Sequence, residues 1–547
     1  MSNLIESTPS AYSYPLLIKQ LFLAPMVNSP NQVIVYRDEK IITYKEWQER
    51  VHRLANALAS IGVKPGNTVA VMEWDSHRYL EAYYAVPMMG AVLHTINVRL
   101  SPEQMVYTIE HAEDDVIICH ADFLPLLEAI KGRIAEGRKF ILIDENGETT
   151  SPHIHFEGEY EQMLAEASAE FDFPEFDENT RASTFYTTGT TGLPKGVYFS
   201  HRQLVLHTLT TTGALASPST QGRLHRDSIY MPITPMFHVH AWGIPYIATF
   251  LGIKQVYPGK YVPAMLLNLL VKNKVTFSHC VPTILNMLLK TPEAANVDLS
   301  NWTCIIGGAA LPKSVAVEAL KRGIDVFVGY GLSETCPVLA VSHLTEKELK
   351  LTPEEQVDFR CRTGKPVGLT QIRVVDEKGK DVPADDKTPG EIVVRAPYLT
   401  QGYLKDHVHS EKLWKDGWMH TNDVACVNAM GSLRITDRTK DVIKVGGEWL
   451  SSLEMEDVIG KHEGVAEVAV IGLPDTNWGE IPFAVIVPKP GAAFEDKELT
   501  QLIKGSVDSG VLPREAITLK VRRTDVIDKT SVGKINKVAL RKKFIEE

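Results

Sequence analysis

The residues best suited to chemistry begin with Tyr186-Thr-Thr-Gly-Thr-Thr-Gly-Leu-Pro-Lys-Gly196, where seven of eleven positions are Gly or Thr. The hydroxyls of Thr187, Thr188, Thr190 and Thr191, the bare backbone around Gly189 and Gly192, and the Lys195 ammonium suit the oxygens of a polyphosphate. Glycine allows φ > 0 and close approach of the main chain to a ligand. Strand-like runs at 182–186 and 197–200 flank the stretch, so the same composition also fits a flexible hairpin loop. A Walker A loop is excluded, because that pattern needs Gly-Lys-Ser/Thr and none occurs in the chain. A second cluster, Asp325-Val-Phe-Val-Gly-Tyr-Gly-Leu-Ser-Glu-Thr335, ends a strand in a carboxylate, a phenol and two hydroxyls. Glu334 is of the type that holds Mg²⁺ in ATP sites through one or two carboxylates, and Tyr330 offers a stacking face. Thr303-Cys-Ile-Ile-Gly-Gly-Ala-Ala-Leu-Pro312 reads as strand, glycine turn and helix start, a shape that brings backbone close to a planar ligand. In Pro235-Met-Phe-His-Val-His-Ala-Trp242 the histidines at i and i+2 admit either a metal pair or a helix start lined by aromatics.

The first stretch closely resembles the Tyr-Thr-Ser-Gly-Thr-Thr-Gly-x-Pro-Lys-Gly signature of the adenylate-forming superfamily, with Thr188 in place of Ser. That superfamily contains acyl-CoA synthetases, luciferases and peptide-synthetase adenylation domains. The likeness runs from about residue 20 to 545 with six motifs in order, and its wording around Pro87-Met-Met-Gly-Ala-Val-Leu-His-Thr-Ile-Asn97 is nearest the medium- and long-chain fatty acid–CoA ligases. It implies that the Thr187–Thr191 loop and Lys195 meet the ATP phosphates, and that Thr190 and Glu334 hold Mg²⁺. Gly307, Gly308 and Ala309 then edge the adenine, with Tyr330, Gly331 and Thr335 beside the nucleotide. Asp423 takes the ribose hydroxyls and Arg438 the ribose and phosphate. His238 is implied beside the acyl carboxylate, Trp242 at the gate of the acyl tunnel, Lys440 at an interdomain pivot, and Gly446, Gly447, Glu448 and Trp449 along the path of CoA. Lys534, in Asp528-Lys-Thr-Ser-Val-Gly-Lys-Ile-Asn536, matches the family's catalytic lysine. The chain departs from the pattern at His240, where relatives often have Asn, at Asn422, where they have Gly, and at Asp528, where they have Pro. Asn tolerates the left-handed region, so the turn at 422 is expected to survive.

The activity so implied is AMP-forming ligation of a carboxylic acid to CoA, with ATP, Mg²⁺ and CoA required. Run in reverse, the reaction would make ATP. Acetate-preferring relatives have a bulky aromatic where this chain has Gly331, which is expected to leave space for a medium-chain, branched or alicyclic acid. Alternatives are an amide-forming, luciferase-like or carrier-loading adenylating enzyme, or a binding protein that has lost catalysis. Retention of Glu334 and Lys534 speaks against the last.

These residues need elements to position them. At 547 residues the chain has room for roughly three or four domain-sized units. Its net charge of −11 argues against nucleic acid as a partner. Six scattered cysteines without a Cys-x-x-Cys pair read as reduced thiols. The N-terminus lacks the features of a leader, and the longest apolar run is interrupted by Gly243, Pro245 and Gly252, short of a membrane span. A cytoplasmic protein acting on small molecules is expected, with a homodimer left open. Strands alternate with helices up to residue 180: Thr43 and Glu46 form a capping-box pattern, and Ser101-Pro102 opens another helix. Such alternation implies crossover units and parallel sheet. The expected fold is α/β: a large N-terminal domain (1–437) of stacked α/β subdomains with a small β-rich subdomain (364–437), hinged to a small α+β domain (438–547).

Overall fold

The computed structural model describes residues 3–147, 149–187, 193–218, 221–446, 448–530 and 534–545. Two large, mostly parallel sheets form the body. One has seven strands, with Thr68–Met72 at its centre and an antiparallel hairpin, Arg181–Thr187 and Lys195–Ser200, at one edge. The other has nine strands; Ile229–Pro232, Phe277–Cys280, Thr303–Ile306 and Asp325–Gly331 run parallel through its middle. The strand pair Val33–Tyr36 and Lys40–Thr43 joins this second sheet, not the sheet built by the strands that follow it in sequence.

Between the sheets lies the helix His77–Met88, every residue of which is buried. A helix apolar or paired all round belongs in such a layer. Its charged members are matched: Arg78 meets Glu73 at 2.7 Å, and Glu81 meets Arg50 at 2.6 Å. Local signals set the helix starts. Thr43 and Glu46 form a capping box, as do Ser101 and Gln104 with Pro102 in the first turn. Ser76 caps the buried helix through the Tyr79 N–H.

Residues after 366 change architecture. Gln371–Val375, Gly390–Arg395, Trp414–Lys415, Trp418–Val427 and Leu433–Arg438 make an antiparallel sheet. The tail builds its own five-stranded sheet from Ile443–Val445, Glu448–Leu450, Val465–Asp475, Gly479–Pro488 and Lys520–Arg523, with separate apolar cores around Ile459, Ile486 and Ile503 and around Ile471 and Ile527. A last helix, Lys537–Ile545, packs against it. The parallel strands of the nine-stranded sheet all end at the same edge, and in open α/β sheets ligands bind outside those carboxyl ends. The tail sits over that edge, and a cleft of about 2070 Å³ opens between them.

Candidate active site

Thr187, Lys195, His238, Trp242, Gly307, Gly308, Ala309, Tyr330, Gly331, Glu334, Asp423, Arg438, Lys440 and Lys534 all line this one cleft. Thr188, Gly189, Thr190, Thr191, Gly192 and Gly447 lie outside the described residues. What flanks the phosphate stretch is an antiparallel hairpin in which Thr187 pairs with Lys195. The Lys195 ammonium lies 4.7 Å from the centre of the Tyr403 ring. The Tyr403 hydroxyl donates to Glu334 Oε1 at 2.7 Å, and the Thr400 N–H donates to the Glu334 carbonyl at 2.9 Å. One short segment therefore ties the candidate metal ligand to the phosphate hairpin.

One wall of the cleft follows the strand Thr303–Ile306. Gly308 has φ +76°, and a Cβ there would come within 3.2 Å of Lys534 Cε. Gly307 is needed for closeness: a Cβ would lie 2.9 Å from the Gly329 carbonyl and 3.0 Å from the Trp242 ring. On the facing wall, the Tyr330 hydroxyl donates to Asp423 Oδ2 at 2.9 Å, and Arg438 Nε stands 3.3 Å from Asp423 Oδ1. Asn422 has φ +58°, so the left-handed turn expected there is made by Asn without glycine.

Lys534 reaches this wall from the tail. The Thr530 N–H donates to the Lys534 carbonyl at 2.7 Å, the Lys534 N–H donates to Thr530 Oγ1 at 3.2 Å, and the Asn536 N–H donates to the Asp528 carbonyl at 2.8 Å. Desolvation and the nearby Arg438 guanidinium push the ammonium down to about 8, against the opposing pull of Asp423 and Glu334. Burial likewise holds His238 near 3, with Lys534 and Arg99 adding to it. The imidazole is neutral at neutral pH, so it can donate or accept a hydrogen bond without carrying charge.

The loop that presents His238 is pinned at three points. The Met236 N–H donates to Asp75 Oδ1 at 2.8 Å, the Tyr83 hydroxyl donates to the Met236 carbonyl, and Thr95 Oγ1 donates to the Phe237 carbonyl at 2.9 Å. Tyr261 donates its hydroxyl to the other Asp75 oxygen at 2.6 Å. Asp75 is 3% exposed, and burial pushes its carboxyl up to about 7.

At four places the structure differs from what the sequence suggests. The stretch after His238 is not a helix start: Val239, His240, Ala241 and Trp242 have φ of 47°, 53°, 47° and 59°, a left-handed turn that ends at Gly243 before the helix Ile244–Leu251 begins. This geometry carries Trp242 against Gly307 and His279, ring centres 5.0 Å apart in the latter pair, and turns His240 away from the cleft. His240 is fully buried among Tyr83, Phe185, Phe199 and Tyr246. Gly331 does not leave room for a larger side chain, because a Cβ would fall inside the Pro337 carbonyl oxygen. The pairing with Val338–Val341 shifts register at Tyr330/Gly331 and draws that carbonyl in. Thr335 is fully buried and its hydroxyl is engaged within its own turn, accepting from the Leu332 N–H at 2.9 Å and bonding the Pro337 carbonyl. It holds the Glu334 loop and is not among the residues that line the cleft. Gly446 and Trp449 lie outside the wall of the cleft: Gly446 donates its N–H to the Trp478 carbonyl at 2.7 Å, and Lys444 sits over the Trp449 ring. Glu448 starts the strand Glu448–Leu450, and Lys440 occupies the turn between Leu433–Arg438 and Ile443–Val445.

Tyr403, Thr400, Asp75 and Tyr261 were not among the sequence candidates. Each acts on a residue distant in sequence, and a lone Tyr or Asp carries no spacing signal.

The profile of the AMP-binding enzyme family matches residues 24–404, and that of the AMP-binding enzyme C-terminal domain matches residues 454–534. The chain belongs to the AMP-binding enzyme family. It is 38% identical to the long-chain-fatty-acid–CoA ligase of Thermus thermophilus, across 92% of this chain and 90% of that protein. It is 35% identical to the 3-methylmercaptopropionyl-CoA ligase of Ruegeria lacuscaerulensis across 97% of both, and 34% identical to the medium-chain-fatty-acid–CoA ligase of Ectopseudomonas oleovorans across 92% and 90%. The fold is also that of the anthranilate CoA ligase AuaEII (TM-score 0.83, 23% identity, 97% of this chain and 98% of that one) and of MatB from Rhodopseudomonas palustris (TM-score 0.82, 24% identity, 97% and 99%). No helix among the described residues is long and apolar enough to cross a membrane.

Proposed function

We propose that this protein activates a medium-chain, branched or alicyclic carboxylic acid with ATP and passes the acyl group to CoA. The enzyme is an AMP-forming acid–thiol ligase that uses ATP, Mg²⁺ and CoA; the choice of acid and the part of each residue are the proposal. The likeness to the medium-chain-fatty-acid–CoA ligase of Ectopseudomonas oleovorans supports the choice of acid, and one observation carries the part of each residue. Lys534, delivered by the tail, meets Asp423, Arg438 and Glu334 on one wall of the cleft, with His238 and Trp242 also lining it.

In the first step the acid's carboxylate oxygen attacks the α-phosphorus of ATP and pyrophosphate leaves, giving an acyl-adenylate. Lys195 and the Thr187–Thr191 stretch offset the charge of the leaving phosphates. Asp423 and Arg438 fix the ribose, neutral His238 orients the carboxylate, and Lys534 offsets charge at the reacting oxygens. The chain's contribution is positioning and preorganised charge. Glu334 fits a hard cation, being a carboxylate that lines the cleft and takes the Tyr403 hydroxyl on Oε1. With Thr190 it would hold Mg²⁺, which when bound supplies Lewis-acid neutralisation of the phosphates.

In the second step the CoA sulfur attacks the acyl carbonyl and AMP leaves. Gly446, assigned with Gly447 to the thiol path, does not line the cleft that Lys534 enters, so the unit from 438 onward is inferred to turn about Lys440 between steps. Trp242 and Gly307 bound the entry for the acid, and Gly331, which also lines the cleft, lends it no extra depth, because a Cβ there has no room. A cytoplasmic location fits these substrates, and the oligomeric state is open to a mass measurement.

The deciding experiment is a panel of straight-chain, branched and cyclic acids assayed for AMP release with and without CoA. CoA-dependent thioester with a C4–C12 or alicyclic optimum supports the proposal. AMP release that ignores CoA, with an amide or free adenylate as product, overturns the acceptor. Absence of turnover with any acid overturns the activity.

A further inference from the structure

The segment 400–406 runs from Glu334 to the phosphate hairpin and holds both. At one end the Thr400 N–H binds the Glu334 carbonyl and Thr400 Oγ1 donates to the Tyr198 carbonyl at 3.0 Å. At the other, the Leu404 N–H donates to the Gly196 carbonyl at 2.8 Å, and Tyr403 bridges to Val197. Tyr403 is fixed between them, its own N–H donated to Ser410 Oγ at 2.8 Å. From this fixed backbone the phenol serves two charged groups at once. Its hydroxyl, donated to Glu334 Oε1, occupies one lone-pair direction of that carboxylate and sets the plane in which the remaining oxygen lone pairs point. Its ring face lies under the Lys195 ammonium, within the range of a cation–π contact, which holds that charge in place beside the phosphate hairpin.

We propose that Tyr403 is a positioning residue that makes binding of the divalent cation and of the nucleotide phosphates depend on each other, through its hydroxyl on Glu334 and its ring under Lys195. The inference rests on the proposed function, in which Glu334 holds Mg²⁺ and Lys195 meets the phosphates. The two contacts separate by substitution. Tyr403→Phe removes only the hydroxyl; Tyr403→Leu removes the ring face as well.

The test is calorimetric titration of ATP in chelator and in Mg²⁺, on wild type and both variants, with thermal melting to confirm folding. Tyr403→Phe is expected to leave the Mg²⁺-free ATP affinity within about twofold and to cut the Mg²⁺-dependent gain about tenfold, the scale of a hydrogen bond to a charged group. Tyr403→Leu is expected to weaken Mg²⁺-free ATP binding by about three- to tenfold in addition. In a Glu334→Gln background, Tyr403→Phe is expected to change nothing further. A Tyr403→Phe protein with the wild-type Mg²⁺ gain overturns the proposal. So does an equal loss in the Glu334→Gln background, which would mark a merely structural role. Should Tyr403→Leu not fold, the Phe variant and the double-variant cycle decide alone. Wild type that binds MgATP and releases pyrophosphate while Tyr403→Phe matches it defeats this inference and leaves the proposed function standing; wild type that binds no nucleotide defeats both.

Discussion

Lys534→Ala separates the two half-reactions. In the structure the ammonium is within 3.7 Å of the Cβ position of Gly308, opposite Asp423 and Glu334, and is held at about 8. At neutral pH the charged form still prevails. Removing one preorganised charge-stabilising donor costs about 10²–10³ in rate, about 2.7–4 kcal/mol. Acid-dependent pyrophosphate exchange is expected to fall by that factor, while thioester formation from supplied acyl-adenylate falls less than about threefold, since in the proposed cycle that step uses another orientation of the tail. The sign with pH follows from a depressed lysine pKa: the charged, useful form prevails below about 8 and is lost as pH rises through it. For wild type, kcat/KM for ATP in the exchange assay should therefore decline above about 8. The limb in kcat should lie higher, because bound phosphates favour the ammonium. Lys534→Ala should lack both limbs. Equal losses in the two half-reactions, or a basic limb that survives in the Ala variant, would refute the assignment.

Asp75→Asn keeps an acceptor for the Met236 N–H and removes a buried charge. Asp75 rises from 3.8 to about 7, so the folded state favours its protonated form and ionisation costs stability, roughly 4 kcal/mol once pH exceeds 7. The Asn variant should melt higher than wild type at pH 8 and lose that advantage toward pH 4; denaturant titration at the two pH values checks it, and the reverse trend would show another group dominates. Gly331→Ala should destabilise by about 1–3 kcal/mol and depress adenylation of every acid alike, as overpacking does; a well-folded variant with a shifted chain-length profile would show that the position opens on the acyl site. Lys440→Pro, fixing φ in the turn between the body and the tail, should preserve pyrophosphate exchange and lower thioester synthesis from adenylate. A wild-type thioester rate would place the pivot elsewhere.

Local signals carried well from sequence to structure. The capping boxes at Thr43 and Ser101, the strand–glycine–helix turn at Gly307, and the left-handed Asn422 depend on residues a few positions apart. What failed to show depends on partners far away. The strand Val33–Tyr36 finds its neighbour at Lys254–Tyr257, more than two hundred residues on, and the register shift that closes Gly331 is made by Pro337 of the returning strand. The last helix, Lys537–Ile545, has four Lys or Arg in nine residues and only Leu540 buried, so its apolar stripe is too thin to read. At the site, most residues that the motifs pick out come together in one cleft, and their spacing made them legible; Asp75 and Tyr403 were not, because each faces only another side chain or the main chain.

The left-handed turn after His238 has a consequence for how the enzyme fails. Four non-glycine residues in that conformation store roughly 4–8 kcal/mol, held in place by Asp75, Tyr83 and Thr95 from the seven-stranded layer. Val239, His240, Ala241 and Trp242 are buried in the same core as the groups that hold them, so the strain is released only when that core opens. Heat is then expected to take the acid site and the body together, with loss of activity and melting coinciding in one transition.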